Sequence, residues 1–433
     1  MQHSYYSLFV RFLTVGNPLL LQTEIIFEFK GKIIFQKQCH WQYFISFVSL
    51  LSGTKIVRGT IHQKSVILSC QTKKIMQEKV FSELIAPLTA FCANAETKID
   101  EKCNSKALFF ENFAQILIFG ISIGVASMRK LLKELKTNPS AKELELPEVP
   151  YSTFRDGFSR FEHKFFNDLY QYILKGVHFL EVPEFNNLGL LKAVDGSLFP
   201  VLRSMAWAEY KRKFKALKLH LAFNLNTCCV NEFVITKGNG SERNFLISIL
   251  ERGVTYICDR GYFSFDVLKE MNKAGSLFVL RLKSSNKFNV EKSLNLTGDF
   301  PSCFSEITDE LIRFSNDKQR VVYRIIRFRV LNSYFILCTN RFDLTTIQLI
   351  MLYAYRWQIE LIFKFLKRPL KGLHLFAQTE VSVKVHFYML LITSLLQLRL
   401  KQHFLAHSNN NKVKNPSKQL LNLTNINNTK YYL

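Results

Sequence analysis

Three acidic residues, Asp195, Asp259 and Glu360, are the candidates for chemistry in this sequence. Asp195 follows the apolar run Leu190–Val194 and Asp259 follows Val254–Cys258, with a glycine soon after each aspartate. Each aspartate is therefore expected where a strand ends, at the edge of an α/β sheet where ligands gather. Three carboxylates can hold two divalent cations, Mg²⁺ or Mn²⁺, which stabilise the attacking and leaving oxygens of a displacement at phosphorus. Taken singly, each aspartate is better explained as the first residue of a turn.

A single polar stripe marks the segment that contains Glu360. Arg356, Glu360 and Lys367 follow Tyr353 by 3, 7 and 14 positions. At about 100° per residue of an α-helix, these side chains share one stripe, and Lys364 lies beside it. Most other side chains of the segment are apolar, which predicts a buried helix whose stripe faces a polar site. Ordinary ion pairs from Glu360 to Arg356 and to Lys364 explain the helix alone equally well.

The elements that must position these groups follow from the spacing of apolar residues. Over residues 184–407, short apolar runs alternate with turn residues and helical segments, which predicts an α/β catalytic domain. The interval from about 284 to 340 is mainly β, and one long helix is expected from about Thr345 to Lys367. Residues 76–180 are predicted to be a mostly α-helical region, which suits DNA binding. Within it we expect one helix to end before Pro87 and another to run over Phe109–Leu135.

The two ends of the chain carry less information. Residues 1–75 mix Phe-rich and Ile-rich runs with scattered lysines, and no motif identifies a chemistry there. One hypothesis is that Met76 is the native start and that the preceding residues are an upstream extension. A peptide from residues 1–75 in protein from the native source would contradict this hypothesis. Residues 408–433 are rich in Asn and Lys, lack acidic residues and are predicted to be a disordered basic tail.

The charge balance restricts the class of partner. The chain has 58 Lys and Arg against 34 Asp and Glu, a formal net charge of +24. This excess favours a polyanion, either nucleic acid or an anionic membrane surface. The apolar runs at Gln115–Ala126 and His386–Leu396 are about a dozen residues long, against the ~20 of a membrane-spanning helix, which argues against a membrane protein. Nine cysteines without a Cys-x-x-Cys pair indicate reduced thiols in a cytoplasmic protein.

Together these motifs resemble the insertion-sequence DDE transposases that carry the YREK signature, of the insertion-sequence family four type. The signature is Tyr, two residues, Arg, three residues, Glu, six residues and Lys, and the stretch Tyr353–Lys367 matches it at every position. Asp259-Arg260-Gly261-Tyr262 is similar to the family's second aspartate motif, and residues 193–197 are similar to its first. The resemblance covers roughly residues 76–400. It implies an RNase H-like catalytic core with a β-rich insertion between the second Asp and the Glu.

The resemblance also implies an activity. The three carboxylates would hold two Mg²⁺ or Mn²⁺ ions, and the protein would nick transposon ends and join the freed 3′-hydroxyl groups to target DNA. Tyr353, Arg356 and Lys367 would contact phosphates near the scissile bond, since Arg grips phosphate as a fork and Lys acts as a point charge. A dimer is expected in the synaptic complex, with the protein in the bacterial cytoplasm at the nucleoid.

Further basic residues are candidates for DNA contact. The densest cluster is Lys211-Arg212-Lys213, and Arg260 and Lys364 lie beside the acidic motifs. Each could follow a DNA backbone and give salt-sensitive affinity, or simply form a solvated basic face.

Three other interpretations are open. A catalytically inactive, transposase-derived DNA-binding protein would bind without cutting, although all three carboxylates and the complete signature argue against it. A stand-alone nuclease with the same core would cut DNA without joining the ends to a target. A basic membrane-associated protein would float with lipid, and the short apolar runs count against it.

Overall fold

The structure of the chain is a computed structural model. It describes residues 28–29, 32–33, 70–94, 99–104, 106–176, 185, 187–202, 204–211, 214–301, 304–317, 319–330, 333–368, 370 and 372–410. The chain divides into two compact units, residues 1–50 with 398–433, and residues 51–397. The first contains an antiparallel ribbon of β1 (Glu28–Phe29) and β2 (Lys32–Ile33). Most of the 1–75 extension and of the predicted basic tail lies outside the described residues.

The described part of the second unit begins with seven helices that pack through phenylalanine rings. The ring centroid of Phe113 lies 5.0 Å from those of Phe154 and Phe158 and 5.4 Å from that of Phe161, within the range of favourable aromatic pairs. A Cβ at Gly157 would be 2.8 Å from the Phe113 ring, so this contact requires glycine. The helices are α1 (Cys70–Ala93), α2 (Ile99–Lys102), α3 (Phe110–Ser122), α4 (Met128–Thr137), α5 (Pro139–Glu143), α6 (Tyr151–Arg160) and α7 (His163–Lys175).

Two of these helix boundaries differ from the prediction. α1 continues through Pro87, because Leu88 immediately after it is fully buried and its burial offsets the hydrogen bond that proline cannot donate. The predicted single helix over Phe109–Leu135 is instead α3 and α4. A turn with Gly124 at a φ of 67° separates them, and the Ser127 side chain caps the start of α4.

A ten-stranded mixed sheet follows the helices. Its order is β4-β5-β3-β7-β8-β12-β11-β10-β9, with β6 also paired to β5. β3, β7 and β8 are parallel neighbours, and the other pairs are antiparallel. The sheet and the preceding helices confirm the α/β class and are consistent with an RNase H-like core. The strands are β3 (Leu191–Pro200), β4 (Glu209–Lys211), β5 (Phe214–Asn224), β6 (Cys229–Lys237), β7 (Thr255–Cys258), β8 (Leu277–Arg281), β9 (Phe288–Ser293), β10 (Phe304–Phe314), β11 (Tyr323–Val330) and β12 (Ser333–Thr339).

The last four strands form a meander that extends the sheet beyond β8. β12 pairs antiparallel with β8, from Leu337 opposite Arg281 to Thr339 opposite Val279. The side chains of the meander and of the parallel strands share one buried core that also includes α8 (Glu242–Ser248) and α9 (Phe265–Ala274). The β-rich segment between Asp259 and Glu360 is therefore continuous with the sheet that carries the aspartates.

The segment with the polar stripe is broken into two helices, so the prediction of one helix over Thr345–Lys367 is wrong. α10 (Thr346–Tyr355) begins at a capping box formed by Thr345 and Gln348, and α11 (Trp357–Lys367) follows at once. Around Arg356 the backbone bonds shorten to the i to i+3 pattern, from Arg356 N–H to the Tyr353 carbonyl and from Ile359 N–H to the Arg356 carbonyl. Arg356 itself keeps right-handed helical dihedral angles, with φ of −51° and ψ of −30°.

The last helix, α12 (Glu380–Asn410), is more apolar than the sequence analysis expected. Its stretch Glu380–Leu400 has a mean hydropathy of 1.5 over 21 residues, long enough by composition to cross a membrane. In the 18-residue window of this stretch that meets the length and composition of a membrane span, 78% of the residues are buried inside the protein. A mostly buried apolar helix is what a domain core also requires, so the hydropathy alone is weak evidence for a membrane span.

Candidate active site

The sheet brings the two aspartates side by side. The parallel pairing of β3 with β7 ends at the pair Val194 and Cys258. Asp195 directly follows Val194, and Asp259 directly follows Cys258, so the two aspartates are neighbours. Asp259 follows the end of β7 as predicted. Asp195 does not stand at a strand end, because β3 continues through Pro200. The long antiparallel partner β5 holds it in the sheet, with Asp195 opposite Leu221.

Asp259 is surrounded by donors and cations. The Tyr353 hydroxyl donates to its Oδ1 at 3.1 Å, and the NH1 of Arg281 lies 3.6 Å from the same atom. Burial alone would raise the pKa of the Asp259 carboxyl, but the backbone N–H of Arg260 and the positive charge of Arg356 outweigh it. The pKa of Asp259 is therefore held below its ordinary value, and the carboxylate stays ionised.

Asp195 is less well compensated. Its Oδ1 accepts from the backbone N–H of Gly196 at 2.8 Å, and its Oδ2 lies 3.7 Å from the NH1 of Arg356. Burial raises the pKa of Asp195 to about 6, against the lowering effect of those two groups. The charges of Glu242 and Glu360 raise it further. Burial thus outweighs the positive charge of Arg356, and the ionised form of this carboxylate is only partly stabilised.

Arg356 lies between the carboxylates. Its NH2 donates to Oε1 of Glu360 at 2.6 Å, which is the ion pair expected four residues apart on a helix. The guanidinium is almost completely buried, and its Nε has no hydrogen-bond partner among the described residues. Burial raises the pKa of the Glu360 carboxyl despite the contact with Arg356. Within the described part of the chain, Lys364 is exposed and forms no ion pair with Glu360.

The end of the stripe contacts the strand that carries Asp195. The Nζ of Lys367 donates to the Ser197 hydroxyl at 2.8 Å and lies 4.9 Å from the centroid of the Phe199 ring. Burial lowers the pKa of Lys367. The structure thus brings together Asp195, Asp259, Tyr353, Arg356, Glu360 and Lys367, as the sequence predicts.

The three carboxylates are arranged around the guanidinium of Arg356 and not around a position for a metal ion. Among the residues that the structure describes, no group of three or more His, Cys, Asp or Glu side chains is preformed to hold a metal ion. The donor chemistry nevertheless fits Mg²⁺ or Mn²⁺, since both prefer carboxylate oxygens. The raised pKa of Asp195 marks a carboxylate that an added cation would stabilise.

Glu242 lies close to both aspartates, although its sequence context does not reveal it. A Cβ on Gly196 would be 3.2 Å from Cγ of Glu242, and a Cβ on Gly261 would be 3.4 Å from its Oε2. Its Oε1 accepts from Lys218 at 3.1 Å. Glu242 therefore lies between the glycines that follow the two aspartates. In the sequence it looks like an acidic residue in the first turn of a helix capped by Ser241, which is too common a pattern to identify it.

The remaining basic candidates lie elsewhere or outside the described residues. Lys211 is on β4 opposite Phe214, at the start of β5, whereas Asp195 pairs with Leu221 near its end. Arg212 and Lys213 fall outside the described residues. Arg260 is exposed directly after Asp259, on the wall of an open cavity.

Known proteins match the part of the chain that forms this sheet. Residues 188–396 match the family model described as the transposase DDE domain. One relative is the Sinorhizobium fredii protein y4zB, whose name proposes that it is a transposase. It is 24% identical over 208 residues, which are 47% of this chain and 58% of its own length. A Geobacillus stearothermophilus protein named as the probable transposase for insertion sequence element IS5377 is 27% identical over 197 residues, 45% of this chain and 52% of its own.

A third relative is a Synechocystis protein that is named as the proposed transposase for insertion sequence element IS4SA. It is 25% identical over 208 residues, 47% of this chain and 58% of its own length. The chain thus spans little more than half the length of these relatives. Residues 188–396, which contain Asp195, Asp259 and Glu360, are therefore similar to the DDE domain of insertion-sequence transposases.

Proposed function

We propose that the chain is a DNA transposase that nicks transposon ends by metal-dependent hydrolysis and joins the freed 3′-hydroxyl ends to target DNA. The observation that carries this proposal is the meeting of Asp195, Asp259 and Glu360 around one buried arginine inside the matched domain. Buried carboxylates with perturbed pKa values in such a position are typical of functional sites. The net charge of +24 supports DNA as the partner.

Asp195, Asp259 and Glu360 would hold the two Mg²⁺ or Mn²⁺ ions, which would stabilise the attacking and leaving oxygens of the phosphodiester. The chain's own groups would orient the reaction. Tyr353 holds Asp259 through its hydroxyl, and Arg356 holds Glu360. The positive charge of the Arg356 guanidinium would also stabilise a phosphate near the scissile bond. Positioning and charge stabilisation supply most of the catalysis in phosphoryl transfer.

Lys367 would add a positive charge beside the strand that carries Asp195. Its Nζ contacts Ser197, two residues beyond Asp195, so a phosphate bound by Lys367 would lie close to Asp195. Water would be the first nucleophile and the freed 3′-hydroxyl the second, so this chemistry requires no covalent enzyme intermediate. The exposed Lys364 and Arg260 would contact the DNA backbone, as would the Lys211-Arg212-Lys213 cluster.

Cleavage of labelled DNA that carries the ends of the surrounding element, with Mg²⁺ or Mn²⁺, tests the proposal. The wild-type protein should nick at the ends, and Glu360→Gln should not. Glu380→Gln is the matched control, because Glu380 forms the same type of ion pair, with Lys384 at 2.9 Å, on a helix outside the site. Equal nicking by Glu360→Gln and the wild type would contradict the assignment of Glu360.

The same assay separates the alternatives. A catalytically inactive, transposase-derived DNA-binding protein would bind the ends equally well in both forms and cut with neither. A stand-alone nuclease would nick but give no joined product with a target plasmid. If two DNA ends are held together, the complex should contain two copies of the chain, which light scattering of the protein–DNA complex would measure. The cytoplasm is the compartment where such a protein meets DNA.

A further inference from the structure

An open cavity of about 400 Å³ lies next to Asp259. One wall is the end of β8 with the turn that follows it, and the other is formed by Arg260 and by side chains of β12. Because Arg281 lines the cavity and also lies 3.6 Å from Asp259, the cavity adjoins the candidate active site. Its lining residues are Arg260, Arg281, Leu282, Lys283, Ser284, Ser285, Tyr334 and Ile336.

The lining carries three cations and no acidic side chain. The charge of Arg281 is partly compensated by Asp259, which lies 3.6 Å away. Its guanidinium also lies 4.5 Å from the centroid of the Phe335 ring. Arg260 and Lys283 are exposed, and neither belongs to an ion pair among the described residues. The positive charge of the cavity is therefore largely uncompensated, which favours an anion.

Neutral donors accompany the cations. The backbone N–H of Asn286 donates to the Lys283 carbonyl at 3.2 Å, and the Lys283 N–H donates to Oδ1 of Asn286 at 3.2 Å. These two bonds close a turn that presents Ser284 and Ser285 to solvent. A phosphate accepts several hydrogen bonds at once, so it suits this combination of hydroxyls, guanidinium and ammonium groups.

We propose that this cavity binds a backbone phosphate of DNA that passes the candidate active site, an inference that rests on the function proposed above. A backbone phosphate fits better than a small free anion for two reasons. Most of the lining is exposed, so the cavity would not enclose a small molecule, and the 40% exposed Tyr334 at its rim offers a surface for the adjacent sugar or base. The cavity also lies on the Asp259 side of β7, where the reacting DNA must approach.

The experiment compares DNA binding by the wild type and by the double variant Arg260→Gln/Lys283→Gln. The control is Arg252→Gln/Lys269→Gln, which removes the same charge from exposed positions. Arg252 precedes β7 and Arg260 follows it, so Arg252 lies at the opposite end of the same strand, and Lys269 lies on α9. Binding of element-end duplex by the full chain is measured without divalent metal, over about 50 to 400 mM salt.

We expect the slope of log affinity against log salt to become shallower by about 0.9 in the cavity variant, the value for one lost duplex phosphate contact. The control should keep the wild-type slope, and circular dichroism should give one melting curve for all three proteins. A single methylphosphonate scanned along the DNA should weaken wild-type binding at one position near the nick and leave the cavity variant unaffected there. Equal slopes for the cavity variant and the control would overturn the proposal.

Two further outcomes are distinguishable. Saturable binding of inorganic phosphate that the cavity variant loses, with an unchanged DNA slope, would mean a free-anion site and would overturn the backbone assignment. A changed slope in a protein that never nicks DNA would support the cavity and contradict the proposed catalysis. Nicking by the wild type together with equal slopes would support the proposed catalysis and contradict the proposed role of the cavity.

Discussion

Arg324 and Arg356 both meet carboxylates inside the protein, and their two clusters differ in how completely their polar groups are satisfied. Arg324 on β11 donates from Nε and NH2 to the two oxygens of Asp309, at 2.8 and 2.6 Å. Its NH1 donates to the Leu344 carbonyl at 2.6 Å, and the Thr346 hydroxyl donates to Asp309 at 2.7 Å. The side chains of Arg324 and Asp309 are only 6% and 0% exposed.

Arg356 forms an incomplete cluster. It hydrogen-bonds Glu360, lies 3.7 Å from Asp195, and keeps a buried Nε without a partner among the described residues. Asp195 is left with its pKa raised to about 6. The same ionic groups can therefore serve two purposes. The satisfied cluster holds the meander to α10, whereas the unsatisfied cluster, under the function proposed above, would leave charge for a ligand.

The largest expected effect on stability comes from breaking the satisfied cluster. Asp309→Ala leaves the Arg324 charge buried without its partner, so the free energy of unfolding should fall by about 3–5 kcal/mol. Urea denaturation measures it. Glu306→Ala is the control, because Glu306 pairs with Arg329 on the same two strands but is 58% exposed, and little change is expected. Similar losses for both variants would remove the distinction drawn between buried and exposed pairs.

Arg356→Gln should have a large effect on activity and a small effect on stability. Nicking of element ends should fall by about 10²–10³-fold, as when a single donor to developing charge is removed. The free energy of unfolding should fall by only about 1–2 kcal/mol, because Asp195 and Glu360 are 24% and 31% exposed and water would partly solvate the carboxylates that lose Arg356. Parallel nicking assays and urea denaturation test this. A stability loss as large as that of Asp309→Ala would assign Arg356 to the fold.

Asp195→Asn should stabilise the metal-free protein while it abolishes nicking. The substitution removes a buried charge that its surroundings do not compensate, at a side chain that is 24% exposed. Allowing for that partial exposure, we expect a gain of about 1–2 kcal/mol in the free energy of unfolding. Denaturation in the presence of a chelator measures it. Destabilisation by the same substitution would contradict the view that the site is held in an unsatisfied state.

The same pair of proteins gives a pH dependence. The folded-state pKa of Asp195, about 6, lies above its ordinary value of 3.8, so the folded protein binds this proton more tightly than the unfolded chain. Stability from this group is fully present below about pH 4 and is lost as the pH rises to about 6. The advantage of Asp195→Asn over the wild type should therefore appear between those pH values. A difference that stays constant from pH 4 to 7 would contradict the raised pKa.

The smallest effect is expected at Lys364. The side chain is exposed and, among the described residues, has no ion pair with Glu360, so Lys364→Gln should change the free energy of unfolding by less than about 0.5 kcal/mol. DNA affinity should weaken and become less salt-dependent, since a phosphate contact is lost. Thermal denaturation and anisotropy measure the two quantities. A stability loss above about 1 kcal/mol would mean that Lys364 pairs with Glu360 after all.

Much of the site is predictable because its signals are local. The strand Thr255–Cys258 is a short run of buried side chains, and the residue after it lies at the sheet edge that α/β proteins use for ligands. The stripe from Tyr353 to Lys367 depends only on helical spacing, which survives the turn at Arg356 because α11 resumes directly afterwards. Residue types and periodicity are sufficient for such features.

The rest depends on partners that are distant in sequence. Asp195 remains inside a strand because β5 pairs with it across the hairpin, which the apolar run before it does not reveal. Glu242 approaches the aspartates only because α8 packs over β3, and the pairing of Asp309 with Arg324 depends on the register of β10 with β11. Pro87 remains helical because of tertiary burial, against its local preference.

The separation of the site residues along the chain has a consequence for the order of synthesis. The hydrogen bond between Tyr353 and Asp259 joins residues 94 positions apart, and Arg356 reaches back further, to Asp195. A chain grows from its N-terminus, so a nascent protein that ends within β9 to β12 already has both aspartates but neither Arg356 nor Glu360. The four strands of the meander are therefore synthesised after the two aspartates and before Arg356 and Glu360. The cutting activity proposed for this protein would begin only after most of the chain has left the ribosome.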